Sequence, residues 1–136
     1  MNDAIRLVEL PARDDARGGL VFMEAEAQVP FAIRRFFFIH HVAPGSGRAS
    51  HAHRACRQFL IALAGSVLVD LDDGRARRRE RLAKPTQGLY VPPMVWVEVT
   101  EFSTDGVLGV LASHPYDEAD YIRDRKLFDA ATGRGV

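Results

Sequence analysis

The 136-residue sequence contains a single cysteine, Cys56, and no excess of charge of either sign. One cysteine cannot form a disulfide within the chain, so nothing points to an oxidising compartment and we expect a cytoplasmic protein. Lysine plus arginine and aspartate plus glutamate number 18 each. This balance argues against a general nucleic-acid binder, whose affinity depends on neutralising phosphates, and we expect a small molecule as the partner.

Long hydrophobic runs are also missing from the N-terminal segment. Residues 1–10 carry Asp3, Arg6 and Glu9 among their apolar side chains. The segment is therefore predicted to be neither a signal peptide nor a membrane span, and no membrane partner is expected. The length predicts a single domain over residues 1–136, with a core that needs no disulfide or metal.

Short β-branched and aromatic segments, separated by turn signals, run through most of the chain. Residues 30–39 form the strongest strand signal of the first half, and Asp72-Asp73-Gly74 predicts a hairpin turn. About ten short strands at close spacing predict an all-β cupin fold, a jelly-roll barrel. After Pro115, carboxylates followed by apolar residues predict one short C-terminal helix at about residues 117–128.

The most informative segment is residues 45–65, which follow the pattern GxxxxxHxHxxxxQxxxxxxG. This spacing matches the first cupin motif, except that Gln58 stands where a metal-binding cupin usually has glutamate. Side chains two positions apart on a strand point to the same face, so His51 and His53 are predicted to project into one cavity. Such a pair can bind a metal or transfer protons.

The second cupin motif, PxGxxH, argues against the metal. It begins at Pro92 but has Met94 at the glycine position and Val97 at the histidine position. With Gln58 also replacing the anionic ligand, two good ligands remain, fewer than the three usual in catalytic sites. We therefore predict no functional metal, and favour proton transfer by histidines, which titrate near neutral pH. The alternatives are a metal-dependent cupin oxygenase and a solvated pair without chemistry.

Three further features bear on a ligand. Arg48 lies on a glycine-flanked loop, where a guanidinium can hold a phosphate in bidentate fashion. One ring of the run Phe36-Phe37-Phe38 is expected to face the cavity. The arginine-rich residues 75–81 alternate faces and include Glu80, so we interpret them as a solvated edge strand rather than a nucleic-acid surface.

Most of the chain, from about Ile33 to Phe128, resembles the sugar-nucleotide 3,4-ketoisomerases, which act on dTDP-4-keto-6-deoxyglucose. The most specific segment is YDEADYIR, which starts at Tyr116 and follows the LAS ending at Ser113. PPMVWVE from Pro92 matches as well, and RASHAH at residues 48–53 resembles the RGxHAH of that family. The sequence departs from the family where the strand with Phe37 often carries a tyrosine, and His40 or water is the candidate substitute for its hydroxyl.

The resemblance implies a metal-free cupin that needs no cofactor, and a homodimer that exchanges N-terminal strands. It also implies a step in making amino-dideoxyhexoses for lipopolysaccharide or glycosylated natural products. His51 and His53 would be the acid and base, with the order of proton transfer left open, and Arg48 would bind the diphosphate or the enediolate. The further candidates for substrate binding are Trp96, Glu98, Gln58 and Phe37. A related deoxysugar-nucleotide 3,5-epimerase and a non-catalytic sugar-nucleotide-binding cupin stay as alternatives.

Overall fold

The computed structural model of the chain describes residues 3–133, apart from the side chain of Ala49. Within this range two five-stranded antiparallel sheets form most of the molecule. Sheet one contains, in spatial order, β1 (Arg6–Glu9), β9 (Gln87–Val91), β6 (Gln58–Ala64), β11 (Val107–Ala112) and β4 (Arg35–His40). Sheet two contains β12 (Tyr121–Ile122), β5 (Arg48–His53), β10 (Trp96–Thr100), β7 (Val67–Asp72) and β8 (Arg77–Leu82). A separate hairpin consists of β2 (Ala12–Asp15) and β3 (Gly18–Val21).

The predicted all-β fold with one short helix is confirmed, but the sheets do not close into a barrel. Among the described residues no strand of sheet one is paired with a strand of sheet two. The core between the sheets takes side chains from both of them, including Leu60 and Val110 from sheet one and Val69 and Val97 from sheet two. The architecture is therefore a jelly roll of two facing sheets, open at its sides.

Both outer faces of this sandwich are also covered. On sheet one, Phe59 and Ile61 pack with Leu10, Val29 and Phe31 of the N-terminal segment. Because β6 is buried on both faces, its sequence is a continuous apolar run instead of an alternating one.

Sheet two is covered by the C-terminal helix α1 (Arg125–Thr132), through Phe128 packed on Trp96 and Ile122. The helix begins later than the sequence predicted, because residues 117–128 contain three different structures. Asp117 caps a short 3-10 turn at Glu118–Asp120, and Tyr121–Ile122 then pairs with β5 as β12. Asp124 provides the actual N-cap of α1, since its side chain accepts a hydrogen bond from the Lys126 N–H. The carboxylates near 117 therefore mark the turn rather than the first turn of the helix.

Strand β8 forms the edge of sheet two, as predicted for the arginine-rich segment. Arg79 pairs with Asp70 at 2.7 Å, and Arg78 pairs with Glu80 at 2.6 Å. The preceding turn is the predicted one: Gly74 has a positive φ of 93°, and Asp73 accepts hydrogen bonds from two backbone N–H groups. The only α-helix in the described range has eight residues, too short to cross a membrane, and no described helix meets the requirements for a span.

Candidate active site

A cavity of about 520 Å³ lies between the two sheets. Both sheets contribute to its wall, with Val97 and Val99 from β10 and Leu108 and Val110 from β11 forming apolar surfaces. The polar and aromatic side chains of the wall are Phe37, Phe38, Arg48, Ser50, His51, Gln58, Tyr121 and Arg123. This volume lies in the range that holds small organic ligands. We call it the histidine cavity.

The predicted histidine pair, His51 and His53, is brought together on β5 with both rings on one face. Their ring centroids are 4.9 Å apart and the ring planes are nearly perpendicular. His51 lines the histidine cavity, whereas His53 lies behind it and is only 5% exposed. The two imidazoles are therefore neighbours with different access to a ligand.

Tyr121 covers both members of the pair. Its ring centroid lies 4.8 Å from that of His51 and 4.4 Å from that of His53. The contact follows from strand pairing, because Tyr121 is opposite His53 in the antiparallel register of β12 and β5. A phenol therefore stands beside the histidine pair although the strand with Phe37 provides none.

The carboxylate of Asp120 contacts the pair through His53. One of its oxygens is 2.9 Å from His53 Nδ1, and the other accepts a hydrogen bond from the Ala55 N–H at 2.7 Å. The Cys56 N–H also donates to this carboxylate, at 3.2 Å. Burial raises the pKa of Asp120, but these hydrogen bonds outweigh it, so the net pKa lies below its ordinary value. Asp120 is consequently ionised at neutral pH.

Both histidines are neutral at rest. Burial, the adjacent His53 and the positive charges of Arg123 and Arg35 lower the pKa of His51 to about 4. Burial also lowers the pKa of His53, opposed by the hydrogen bond and the charge of Asp120. An uncharged imidazole can accept a proton from a substrate, so both rings are in the form that a general base requires.

Three arginines lie around the pair and its cavity. Arg123 stacks over the Tyr121 ring, with its Cζ 4.2 Å from the centroid, and forms a two-bond ion pair with Glu118. Arg35 lies over the ring of Phe37 at 5.3 Å, and its Nε is buried without a hydrogen-bond partner among the described residues. Arg48 is exposed at the cavity wall. The site is therefore suited to an anionic ligand.

The predicted substrate-binding residues divide into two groups. Arg48, Gln58 and Phe37 line the histidine cavity together with His51. Trp96 and Glu98 do not: they lie on the opposite face of β10, where they line a separate cavity of about 380 Å³. The reason is the two-residue period of a strand, since Val97 and Val99 occupy the inner face. Trp96 instead packs on Phe128, and its indole N–H donates to Glu98 at 3.3 Å.

One group of side chains has the types of atoms that bind metals. His53, Cys56 and Asp120 have potential ligand atoms within 4.8 Å of one another. However, His53 Nδ1 and the nearer Asp120 oxygen are 2.9 Å apart, the distance of a direct hydrogen bond. Two ligands about 2.0–2.1 Å from one tetrahedral zinc ion would be roughly 3.3 Å apart. The arrangement fits a histidine–carboxylate hydrogen bond better than a metal site.

Four residues of the site were missed from the sequence, namely Asp120, Tyr121, Arg123 and Arg35. Three of them lie in YDEADYIR, which the sequence analysis used only as a family signature. Their positions were hidden because that segment was predicted as helix, and because Asp120 follows His53 by 67 residues. The adjacent aromatic and β-branched residues Tyr121 and Ile122 were the available signal for a short strand.

Comparison with known proteins places these observations in context. Residues 3–133 match the family model described as FdtA: WxcM-like, C-terminal. A curated relative from Aneurinibacillus thermoaerophilus, TDP-4-oxo-6-deoxy-alpha-D-glucose-3,4-oxoisomerase, is 46% identical over 109 residues. The alignment covers 80% of this chain and 78% of the relative.

Solved structures agree with the family match. A mutant of the 3,4-ketoisomerase QdtA from Thermoanaerobacterium thermosaccharolyticum, in complex with TDP-4-keto-6-deoxyglucose, superposes with a TM-score of 0.92 at 34% identity. The match covers 97% of this chain and 96% of that one. NovW from Streptomyces spheroides, a 4-keto-6-deoxy sugar epimerase, is more distant, with a TM-score of 0.75 and 16% identity over 88% of this chain and 68% of that one. At this identity the likeness to NovW shows a shared fold alone.

Proposed function

The chain belongs to the FdtA family of sugar 3,4-ketoisomerases, and we propose that its substrate is a thymidine-diphosphate-linked 4-keto-6-deoxyhexose. The relatives name this chemistry: the curated one acts as an oxoisomerase on the TDP-linked 4-oxo sugar, and the QdtA structure holds TDP-4-keto-6-deoxyglucose. The single observation that supports it best in this chain is the pair of uncharged imidazoles, one of which borders a cavity of about 520 Å³.

The reaction moves a carbonyl from C4 to C3 of the sugar. A base removes the hydrogen from C3, which the C4 carbonyl acidifies, and the electron pair of that bond forms the C3–C4 double bond of an enediolate. A proton is then delivered to C4, and the C3 hydroxyl proton leaves as the C3 carbonyl forms. The net change transfers one hydrogen from C3 to C4 and one from O3 to O4, so no oxidant, metal or cofactor is needed.

The side chains around the histidine cavity suit these steps. His51 borders the cavity and is neutral, so it can exchange a proton with the sugar, and His53 is the adjacent proton-transfer group. The negative enediolate oxygen would lie near Arg35 and Arg123, whose fixed positive charges stabilise it. The buried side chain of Gln58 offers a neutral donor and acceptor to the sugar hydroxyls.

The nucleotide end of the substrate is assigned to the mouth of the cavity at Arg48. This exposed guanidinium follows the turn at Pro44–Gly45 and has no acidic ion-pair partner in the described part of the chain. It is therefore available for a bidentate contact with the diphosphate.

A homodimer is proposed for the working enzyme. Phe36 and Phe38 are 52% and 53% exposed on β4, the edge strand of sheet one, and Leu20 on the separate N-terminal hairpin is 56% exposed. Exposed large apolar side chains on an edge strand and a hairpin are typical of a surface covered by a second subunit. Exchange of N-terminal strands between two copies would cover both.

The reaction sequence in which the enzyme acts can be inferred from its product. A 3-keto sugar nucleotide is the substrate of an amino-transfer step, so the product serves the synthesis of amino-dideoxyhexoses for lipopolysaccharide or glycosylated natural products. Nucleotide sugars of this kind are made in the cytoplasm, where we place the protein.

The test is direct observation of the reaction in deuterated water by NMR. With dTDP-4-keto-6-deoxyglucose, the enzyme should give a 3-keto sugar that carries deuterium at C4. His51→Asn and His53→Asn should lose activity while keeping the fold. His114→Asn, which changes an exposed histidine outside the cavity, should keep its activity. Deuterium at C5 with the carbonyl still at C4 would indicate the epimerase instead. Absence of both carbon-bound deuterium and 3-keto product would contradict the proposal and favour a binding protein.

A further inference from the structure

Asp120 has more than one task in the structure, and its contacts separate them. Its carboxylate accepts hydrogen bonds from the Ala55 and Cys56 N–H groups, which orders the loop that follows β5. Its backbone carbonyl accepts from the Arg54 N–H at 2.8 Å. The contact with His53 Nδ1, at 2.9 Å, is additional to this loop and is the only one directed at an imidazole.

That contact fixes which nitrogen of His53 carries hydrogen. An ionised carboxylate has no proton to donate, so the hydrogen between the two groups belongs to Nδ1. In the neutral ring, Nε2 is then the nitrogen with the free lone pair. Nε2 is buried and has no hydrogen-bond partner among the described residues. A proton acceptor is thus held ready beside His51 and Tyr121.

We propose that Asp120 is a positioning residue that fixes the Nδ1–H tautomer of His53 and stabilises its imidazolium during turnover. The proposal rests on the isomerase function above and assigns a division of labour within the histidine pair. Arg35 and Arg123 disfavour the charged form of both rings, but in the described range only His53 has a hydrogen bond to a carboxylate that opposes them. The positive charge that proton transfer creates is therefore held on His53, whose partner is Asp120.

Asparagine at position 120 distinguishes positioning from simple loop support. Its amide oxygen can still accept the shorter loop hydrogen bond, from the Ala55 N–H at 2.7 Å, whereas the longer one from the Cys56 N–H, at 3.2 Å, loses its acceptor because it shares an oxygen with His53. Its amide NH₂, however, would donate to His53 Nδ1, which moves the ring hydrogen to Nε2 and removes the free lone pair. In serine proteases the same exchange behind a catalytic histidine lowers kcat by about 10⁴ through the wrong tautomer.

The first measurement needs no substrate. Proton–nitrogen correlation NMR of enzyme labelled in its histidine rings should show His53 in the Nδ1–H form in the wild type and in the Nε2–H form in Asp120→Asn. The control is Asp117→Asn, which changes a carboxylate of the same turn whose one hydrogen bond among the described residues is to the Ala119 N–H. If His53 of the wild type is found in the Nε2–H form, the proposal is overturned. This result depends neither on the folding of the variants nor on the identity of the substrate.

The second measurement is the pH profile of kcat and KM on dTDP-4-keto-6-deoxyglucose. Asp120→Asn should lower kcat by roughly 10² to 10⁴ with KM changed less than about threefold, and Asp117→Asn should behave as wild type. Asp120→Glu, which keeps the charge, should recover part of kcat. A kcat for Asp120→Asn within about threefold of wild type, in active enzyme, would overturn the positioning role and leave the isomerase function standing. An inactive wild type would instead count against the proposed function.

Discussion

Mild acid should destabilise the folded chain through His51. In the folded chain, burial, the neighbouring His53 and the charges of Arg123 and Arg35 hold the pKa of His51 at about 4, against an ordinary value of 6.5. Between these values the unfolded chain binds a proton that the folded chain does not. The contribution of His51 to stability is therefore complete above about pH 6.5 and is lost as the pH falls toward 4.

The size of the effect follows from the two pKa values. At pH 5 the two values correspond to a loss of about 2 kcal/mol in the free energy of unfolding for one such group. The His51 ring borders the open cavity, and solvent screening lowers the expected loss to between about 1 and 2 kcal/mol. The charged or titratable groups that face the ring are His53 on its own strand, Arg35 on β4, Tyr121 and Arg123 at β12, and Glu118 on the preceding turn.

Urea unfolding at about pH 7.5 and pH 5 measures this loss. The protein concentration is held fixed, since the stability of a dimer depends on it. On going from pH 7.5 to pH 5, the free energy of unfolding of the wild type should fall by about 1 to 2 kcal/mol more than that of His51→Asn. His114→Asn, which changes a different histidine, should retain the His51 contribution. Equal losses in wild type and His51→Asn would refute the assignment of a depressed pKa to this ring.

Three further predictions concern packing, binding and metal. Phe128→Ala should lower the free energy of unfolding by about 3 to 5 kcal/mol in urea titrations, because this fully buried ring holds α1 on Trp96. The control, Leu127→Ala, changes an exposed side chain and should alter the free energy of unfolding by less than about 0.5 kcal/mol. Equal effects of the two substitutions would contradict the packing role of Phe128. Arg48→Ala should raise KM by roughly 10- to 100-fold with little change in kcat, as expected for a lost charged hydrogen bond to the diphosphate, while an unchanged KM would remove Arg48 from the binding site. Treatment with EDTA followed by dialysis should leave turnover unchanged, and activity that returns only with one added metal ion would disprove the metal-free mechanism.

Strand positions were largely predictable because turn residues and apolar runs are local signals. The turn at Asp72-Asp73-Gly74 and the edge strand that follows it lie where their composition indicates. The strand predicted over residues 30–39 begins only at Arg35, since Phe31 instead packs across the outer face of sheet one. Strand β2 was missed because its sequence, ARDD, is polar and is typical of a turn.

The histidine cavity was predictable only in part, for reasons of sequence distance. His51 and His53 share a strand, so their common face follows from a two-residue period, and Arg48 and Gln58 flank them closely. Asp120 and Tyr121 reach the pair through tertiary pairing of β12 with β5, which no local pattern encodes. Trp96 and Glu98 lie on the strand that borders the cavity but on its other face, and the alternation of Val97 and Val99 with the polar Glu98 and Thr100 was the available signal for this orientation.

The pairing of β12 with β5 also has a consequence for the order in which the site is assembled during protein synthesis. Chains emerge from the ribosome from the N-terminus, at about 5–20 residues per second. His53 therefore emerges 67 residues before the carboxylate that orients it. Until the segment with Asp120 and Tyr121 joins sheet two, His53 of a nascent chain lacks its hydrogen bond to Asp120, and both histidines lack the ring of Tyr121 that covers them. Because the oriented pair needs this segment in place, turnover itself reports that the C-terminal part of the described chain has docked.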